Sequence, residues 1–105
     1  MTINDRISQQ LAADPIVLYM KGEPMMPMCG FSATVVDILS QYDVNFQSYN
    51  ILLDNELRQG LKDYSQWPTF PQLYVNGELI GGCDIVGELH ESGELAEILS
   101  ADPDH

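Results

Sequence analysis

This chain predicts an α/β fold built on one mixed four-stranded sheet with helices on both faces, and three observations carry that prediction. A buried-strand pattern at Ile16–Met20 is followed by a helical pattern and a second strand pattern, which is a βαβ unit. An Asn76-Gly77 pair sits between two short strand patterns and is followed by a long helical stretch, which is a ββα unit. Amphipathic helical spacing also opens the chain. The element order is α-β-α-β-α-β-β-α, and short connections leave few ways to arrange it.

The elements follow one by one. Thr2 and Asp5 form a capping signal, and Ile3, Ile7 and Leu11 recur at helical spacing, so residues 2–13 read as a helix. Asp14-Pro15 stops it. Residues 16–20 are continuously apolar and partly β-branched, as a strand buried on both faces requires. Two prolines and a glycine make residues 21–29 a loop, and from Gly30 to about Tyr42 the shared face of Phe31, Val35, Ile38 and Leu39 is helical. Cys29 therefore stands at a helix N-terminus.

Asn45 to Ile51 reads as the second strand. Asp54 can cap a helix through Tyr64 with Leu57 and Leu61 turned inward. Residues 67–71 are a breaker segment with two prolines. Residues 72–75 and 78–80 then pair across a type I′ turn. Gly81-Gly82 leads into helix from Asp84 to Ser100, broken or kinked at Ser92-Gly93. The acidic tail Asp102-Pro103-Asp104-His105 reads as disordered.

Length and charge narrow the function. A chain of 105 residues is expected to be a single domain over 1–105. Folding at this size buries about 65% of the unfolded surface, enough for a core without disulfide staples. Sixteen acidic residues face four basic ones, for a formal net charge of -12. Phosphate neutralisation needs clustered Lys and Arg, so nucleic acid and anionic membranes are not expected partners. The longest apolar run, Ile16–Met20, is too short to span a bilayer. The opening residues are polar where a signal peptide would be apolar, so the expected compartment is the cytoplasm or an equivalent reducing interior.

Two cysteines, Cys29 and Cys83, make neither a disulfide framework nor a zinc pattern. Cys29 admits two readings. Burial as an inert thiol is the commoner fate of a cysteine. A helix start, however, offers unpaired N–H groups and the positive end of a dipole, which favour the thiolate that attacks disulfides and binds metals. Its place after an exposed proline-rich loop favours the working thiol. Three residues on stands Ser32, where a C-x-x-C motif would carry a resolving thiol, so a mixed disulfide at Cys29 must await an outside thiol. Ser32 itself reads as a solvated first-turn serine.

The motif Lys21-Gly22-x-Pro24-x-x-Pro27-x-Cys29-Gly30-Phe31-Ser32 resembles the active-site signature of the monothiol glutaredoxins. Trp67-Pro68-Thr69-Phe70-Pro71-Gln72 and Gly81-Gly82-Cys83-Asp84 fall where that family carries its other two motifs. The resemblance runs from about residue 3 to residue 100 and is nearest to single-domain bacterial and organellar members. It implies a thioredoxin-like fold and glutathione bound beside the active cysteine. It also implies a [2Fe-2S] cluster at a homodimer interface, held by one protein thiolate per subunit and the thiols of two glutathiones. Transfer of the cluster to apo iron–sulfur acceptor proteins, pairing with BolA-type partners and weak disulfide reductase activity complete the implied picture. Elementary coordination chemistry agrees, because such a cluster takes four thiolates and two chains offering one each leave two to be borrowed.

Carried onto this sequence, the resemblance makes Cys29 both the catalytic and the metal-ligating residue. It places Cys29, Gly30 and Phe31 beside glutathione and sets Lys21 and Arg58 on the glycine-end carboxylate. Pro71 would be cis and would present the backbone of Phe70 to the tripeptide, with Thr69 in the same groove. Trp67 either lines that groove or simply packs. The amides around Cys83 can hold a carboxylate, and Asp84 can take the ligand's ammonium, cap its helix, or do both. Three alternatives stay open. Cys29 and Cys83 from two chains would also total four thiolates; Cys29 could instead reduce glutathione mixed disulfides; the chain could be a redox-inert interaction module. Met25, Met26 and Met28 suit an adaptable contact surface or, by ligand softness, copper. His90 and His105 read as isolated surface residues, and Lys62 as an ordinary surface cation.

Overall fold

A computed structural model of the chain describes residues 1–100; the acidic tail at 102–105, including His105, lies outside them. The elements are α1 (Ile3–Ala13), β1 (Ile16–Met20), β2 (Gly22–Glu23), β3 (Met26–Pro27), α2 (Gly30–Leu39) and β4 (Gln47–Asn50). A 3₁₀ turn (Ile51–Leu53), α3 (Asn55–Ser65), β5 (Gln72–Val75), β6 (Glu78–Gly81), α4 (Cys83–Ser92) and α5 (Glu94–Leu99) follow. The main sheet has the order β4-β1-β5-β6, with β1 parallel to β4 and the other pairs antiparallel. It is the expected mixed four-stranded sheet.

Strand alternation divides the core between the two faces of that sheet. Ile16, Leu18, Met20, Leu73 and Val75 pack against α2, α4 and α5 through Val35, Ile38, Leu39, Val86, Leu95 and Leu99. Val17, Tyr19 and Tyr74 point the other way, onto Ile7 and Leu11 of α1 and Leu57 and Leu61 of α3. Each fully buried Leu or Ile contributes about 1.5–3 kcal/mol relative to exposure. The polar tips in this core are satisfied: the Tyr19 hydroxyl donates to Gln10 Oε1 at 2.8 Å and the Tyr74 hydroxyl to Gln72 Oε1 at 3.0 Å. Burial pushes the Tyr74 hydroxyl up to about 12.

Helix starts follow their caps. Thr2 and Asp5 close a reciprocal capping box on α1, and Asp54 Oδ1 accepts the Leu57 N–H at the head of α3. Asn76 and Gly77 have φ of 52° and 81°, the backbone of a type I′ turn.

Several boundaries differ from expectation, each for a local reason. The α2 helix stops at Leu39, not Tyr42, because Gln41 and Tyr42 donate to Ile38 and Leu39 in tighter three-residue turns. Strand β4 covers only 47–50, and Ile51 enters the 3₁₀ turn because Asn50 Oδ1 accepts the Leu52 N–H. Helix α4 begins at Cys83 with Gly82 as its cap, so Asp84 is a first-turn acid and not the N-cap. The break at Ser92-Gly93 is present, with Gly93 at φ 85°. His90 is not isolated: its Nδ1 lies 2.6 Å from the Tyr42 hydroxyl, and the two rings meet edge to face.

The loop at 21–29 contains the β2–β3 hairpin, which was not expected. Gly22 makes it possible, since at φ 92° a Cβ there would stand 2.5 Å from Met28 N and 2.7 Å from Met26 O. The Gly22 N–H donates to Asn50 Oδ1 at 3.0 Å, so one amide side chain ties the hairpin to the 3₁₀ turn.

The two-faced core predicts a contrast in stability. Leu73→Ala, at a fully buried strand position, costs about 2–5 kcal/mol in urea denaturation. Leu53→Ala, at an 81% exposed one, stays within about 0.5 kcal/mol of the parent. Equal losses would refute the core described above.

Candidate functional site

Three chain segments meet at one end of the sheet and enclose a groove of about 570 Å³. Its walls are the start of α2 with Lys21, which follows β1, the loop before β5, and the start of α4, with α3 contributing Arg58. Lys21, Cys29, Phe31, Arg58, Thr69, Phe70, Pro71, Cys83 and Asp84 all line it. Gly30 does not, and a Cβ built there meets nothing within 4 Å. Trp67, Pro68, Gly82 and Ile85 line it as well. Pro68 and Ile85 went unnoticed in the sequence, although one sits inside the Trp-Pro motif and the other in the first turn of α4.

Cys29 is the N-cap of α2, with extended backbone and a carbonyl that accepts the Ala33 N–H at 2.9 Å. Cys29 is half-buried and lines the groove, so it is not the fully buried thiol of the alternative reading. The Ser32 backbone N–H is the largest influence on its thiol and lowers the pKa below that of an ordinary cysteine. Partial burial opposes that effect; the Phe31 N–H, the Lys21 ammonium and the Ser32 hydroxyl reinforce it. Cys83 behaves oppositely. Burial first, then the nearby Asp84 carboxylate, push its thiol up, although a hydrogen bond with Thr34 partly offsets them. One groove therefore holds two thiols of unlike character.

Ser32 is not solvated. It is fully buried, and its Oγ accepts the Lys21 N–H at 3.1 Å.

The loop carrying Trp67 to Pro71 is fixed from beneath. Gln72 is fully buried, and its Nε2 donates to the carbonyls of Trp67 and Thr69 at 3.1 and 3.2 Å. With Oε1 accepting from Tyr74, its amide is fully employed. The Phe70–Pro71 bond is cis. The Phe70 side chain belongs to the core, although the residue also lines the groove. Gly82 allows the α4 start to approach this loop, because a Cβ there would lie 3.2 Å from Pro71 O. Trp67 Nε1 is buried beside it without a hydrogen-bond partner among the described residues.

The basic side chains are unevenly placed. Arg6 pairs with Asp54 and Glu56, far from the thiol in sequence, whereas Lys21 and Arg58 line the groove. Met25, Met26, Met28 and Phe31 are 63–96% exposed around Cys29. Among the described residues, no group of three or more His, Cys, Asp or Glu side chains could hold a metal ion.

Comparison with known proteins gives consistent matches. Residues 16–80 match the family model described as Glutaredoxin. The chain is 55% identical over 95 residues to the probable monothiol glutaredoxin 2 of Rickettsia conorii, covering 90% of this chain and 89% of that one. It is also 55% identical to monothiol glutaredoxin-S11 of Oryza sativa and 56% identical to glutaredoxin 3 of Danio rerio. The matches cover 91% and 89% of this chain but only 20% and 28% of those longer proteins. The solution structure of reduced poplar apo GrxS14 superposes with a TM-score of 0.80 at 52% identity, over 90% of this chain and 87% of that one.

The opposite shifts of the two thiols predict an order of reaction. Because a lowered pKa puts thiolate at lower pH, iodoacetamide modifies Cys29 with a pH midpoint below that of a free thiol, and Cys83 with one above it. Peptide mapping of the modified protein measures both; coincident or inverted midpoints would contradict the electrostatics described.

Proposed function

This chain belongs to the glutaredoxin family, on its monothiol branch and with a thioredoxin-like fold, and from that premise we propose that it binds glutathione beside Cys29 and carries a [2Fe-2S] cluster to acceptor proteins. The observation that supports this most directly is a single thiolate-favouring sulfur at a helix N-terminus, opening onto a groove that also holds Lys21 and Arg58. A tripeptide with two carboxylates and one ammonium suits such a groove. Lys21 and Arg58 take the glycine-end carboxylate, and the cis Pro71 presents the Phe70 backbone as though to another strand. The amides at the start of α4 receive the second carboxylate and Asp84 the ammonium.

The cargo follows from thiol arithmetic. One chain supplies Cys29, and a [2Fe-2S] unit takes four thiolates. Two copies related by a two-fold axis supply two, and their glutathiones supply the rest. Half the ligands are then diffusible, so acceptor thiolates displace them by ligand exchange. In this reading residues 1–105 act as one cytoplasmic domain, a homodimer when loaded, open to BolA-type partners.

A second reading is favoured by the lowered thiol pKa. The Cys29 thiolate attacks the glutathione sulfur of a protein mixed disulfide, releasing the protein as thiolate and leaving Cys29 joined to glutathione. A free glutathione thiolate then attacks that bond, giving glutathione disulfide and restoring Cys29.

Anaerobic reconstitution with iron, sulfide and either glutathione or 2-mercaptoethanol separates the readings. Glutathione-dependent visible absorbance together with dimer formation is the result expected of the carrier. Rapid deglutathionylation without a cluster favours the enzyme, and neither activity would leave an interaction module. Cys83→Ala retains the cluster if the ligand set is right; loss of the cluster in a folded variant would transfer a ligand role to Cys83. Arg58→Gln weakens glutathione binding roughly tenfold, by loss of one charge-assisted contact, and calorimetric titration at low salt measures it.

A further inference from the structure

Lys21 is the residue on which the two flanks of Cys29 converge. Its carbonyl accepts the N–H of Met28, the residue before the cysteine, at 2.9 Å. Its N–H donates to the Oγ of Ser32, three residues after the cysteine, at 3.1 Å. The peptide groups on either side of the Lys21 α-carbon are thus held from both ends of the Cys29 turn. Just before this clamp β1 ends at Met20, and just after it Gly22 turns into the hairpin, so Lys21 lies between the two.

We propose that Ser32 is a positioning residue, whose buried hydroxyl oxygen takes the Lys21 N–H and thereby fixes where the Lys21 ammonium stands relative to the Cys29 sulfur. Two observations carry the assignment. Ser32 is fully buried, so its oxygen does not exchange this partner for water. Lys21 and Cys29 line the same groove. Serine at this position is then an acceptor built into the site, in addition to lacking a resolving thiol. Cysteine would be a poor substitute, because sulfur accepts hydrogen bonds weakly.

The consequence for a glutathione carboxylate rests on the function proposed above; the geometry does not, and the test avoids both glutathione and iron. Cys29 is alkylated separately with iodoacetamide, which is neutral, and iodoacetate, which is anionic. In each case its thiolate forms an S–C bond and iodide leaves, and peptide mapping follows Cys29 alone. Both probes meet the same thiolate, so the ratio of their rates cancels its abundance and reports the local cation. The other charged groups of the groove, Arg58 and Asp84, are the same in every variant.

Ser32→Ala is expected to lower the iodoacetate-to-iodoacetamide ratio roughly threefold at low salt, with the difference fading as salt screens it. Lys21→Gln lowers it as well, and adding Ser32→Ala to Lys21→Gln changes nothing further, because the serine acts through the lysine. An unchanged ratio in Ser32→Ala, or an equal drop in the Lys21→Gln background, overturns the proposal. Should Ser32→Ala fail to fold, amide hydrogen exchange in the unaltered protein decides. A Lys21 N–H protected to the level of the β1 amides supports the clamp, and one exchanging as fast as that of Met25 refutes it.

Discussion

A helix has no internal carbonyls to receive the amides of its first turn, and in α2 the residue standing before those amides is Cys29. Everything distinctive about the site follows from that one shortage of acceptors. The N–H groups of Ser32 and Phe31 favour a negative sulfur, the form in which a thiol is reactive. The hairpin, Lys21 and the buried serine hold the turn from both sides of the cysteine. The two-faced core holds β1 and α2 in place behind it.

Charge is distributed to match. A chain with a formal charge of -12 repels anions at long range. Screening confines that repulsion to about 8 Å at physiological salt, so the nearest groups dominate. Two of the four cations stand in the groove and a third is occupied by Asp54 and Glu56. The groove is therefore less acidic than the molecule as a whole, its two cations facing one carboxylate, Asp84.

The sequence was most legible where one residue dictates one geometry. Thr2 with Asp5, Asp54, and Asn76-Gly77 announced two helix starts and a turn, because capping and left-handed backbone leave few residue choices. That β1 is buried on both faces was legible, but which of its residues face which helices was not, since all five are uniformly apolar. The β2–β3 hairpin escaped because two-residue strands carry no periodicity; only the tight surroundings of Gly22 mark it. Ser32 was misjudged as solvated for a related reason. Its burial depends on where Lys21 lies after the chain has turned back, which is tertiary information. The groove residues were reached through motifs, whereas Ile85 lies outside them, and the supporting role of the Gln72 amide depends on a burial that its motif does not reveal.

The groove is also a seam. Arg58 and Phe70 belong to the side of the sheet packed by α1 and α3, whereas Phe31, Cys83 and Asp84 belong to the helices of the opposite face. A molecule seated there touches both layers at once and works as a clasp across the sheet's open end. By mass action it raises the resistance of the two layers to unfolding together. Any ligand of this groove would therefore tie its own concentration to the cohesion of the protein.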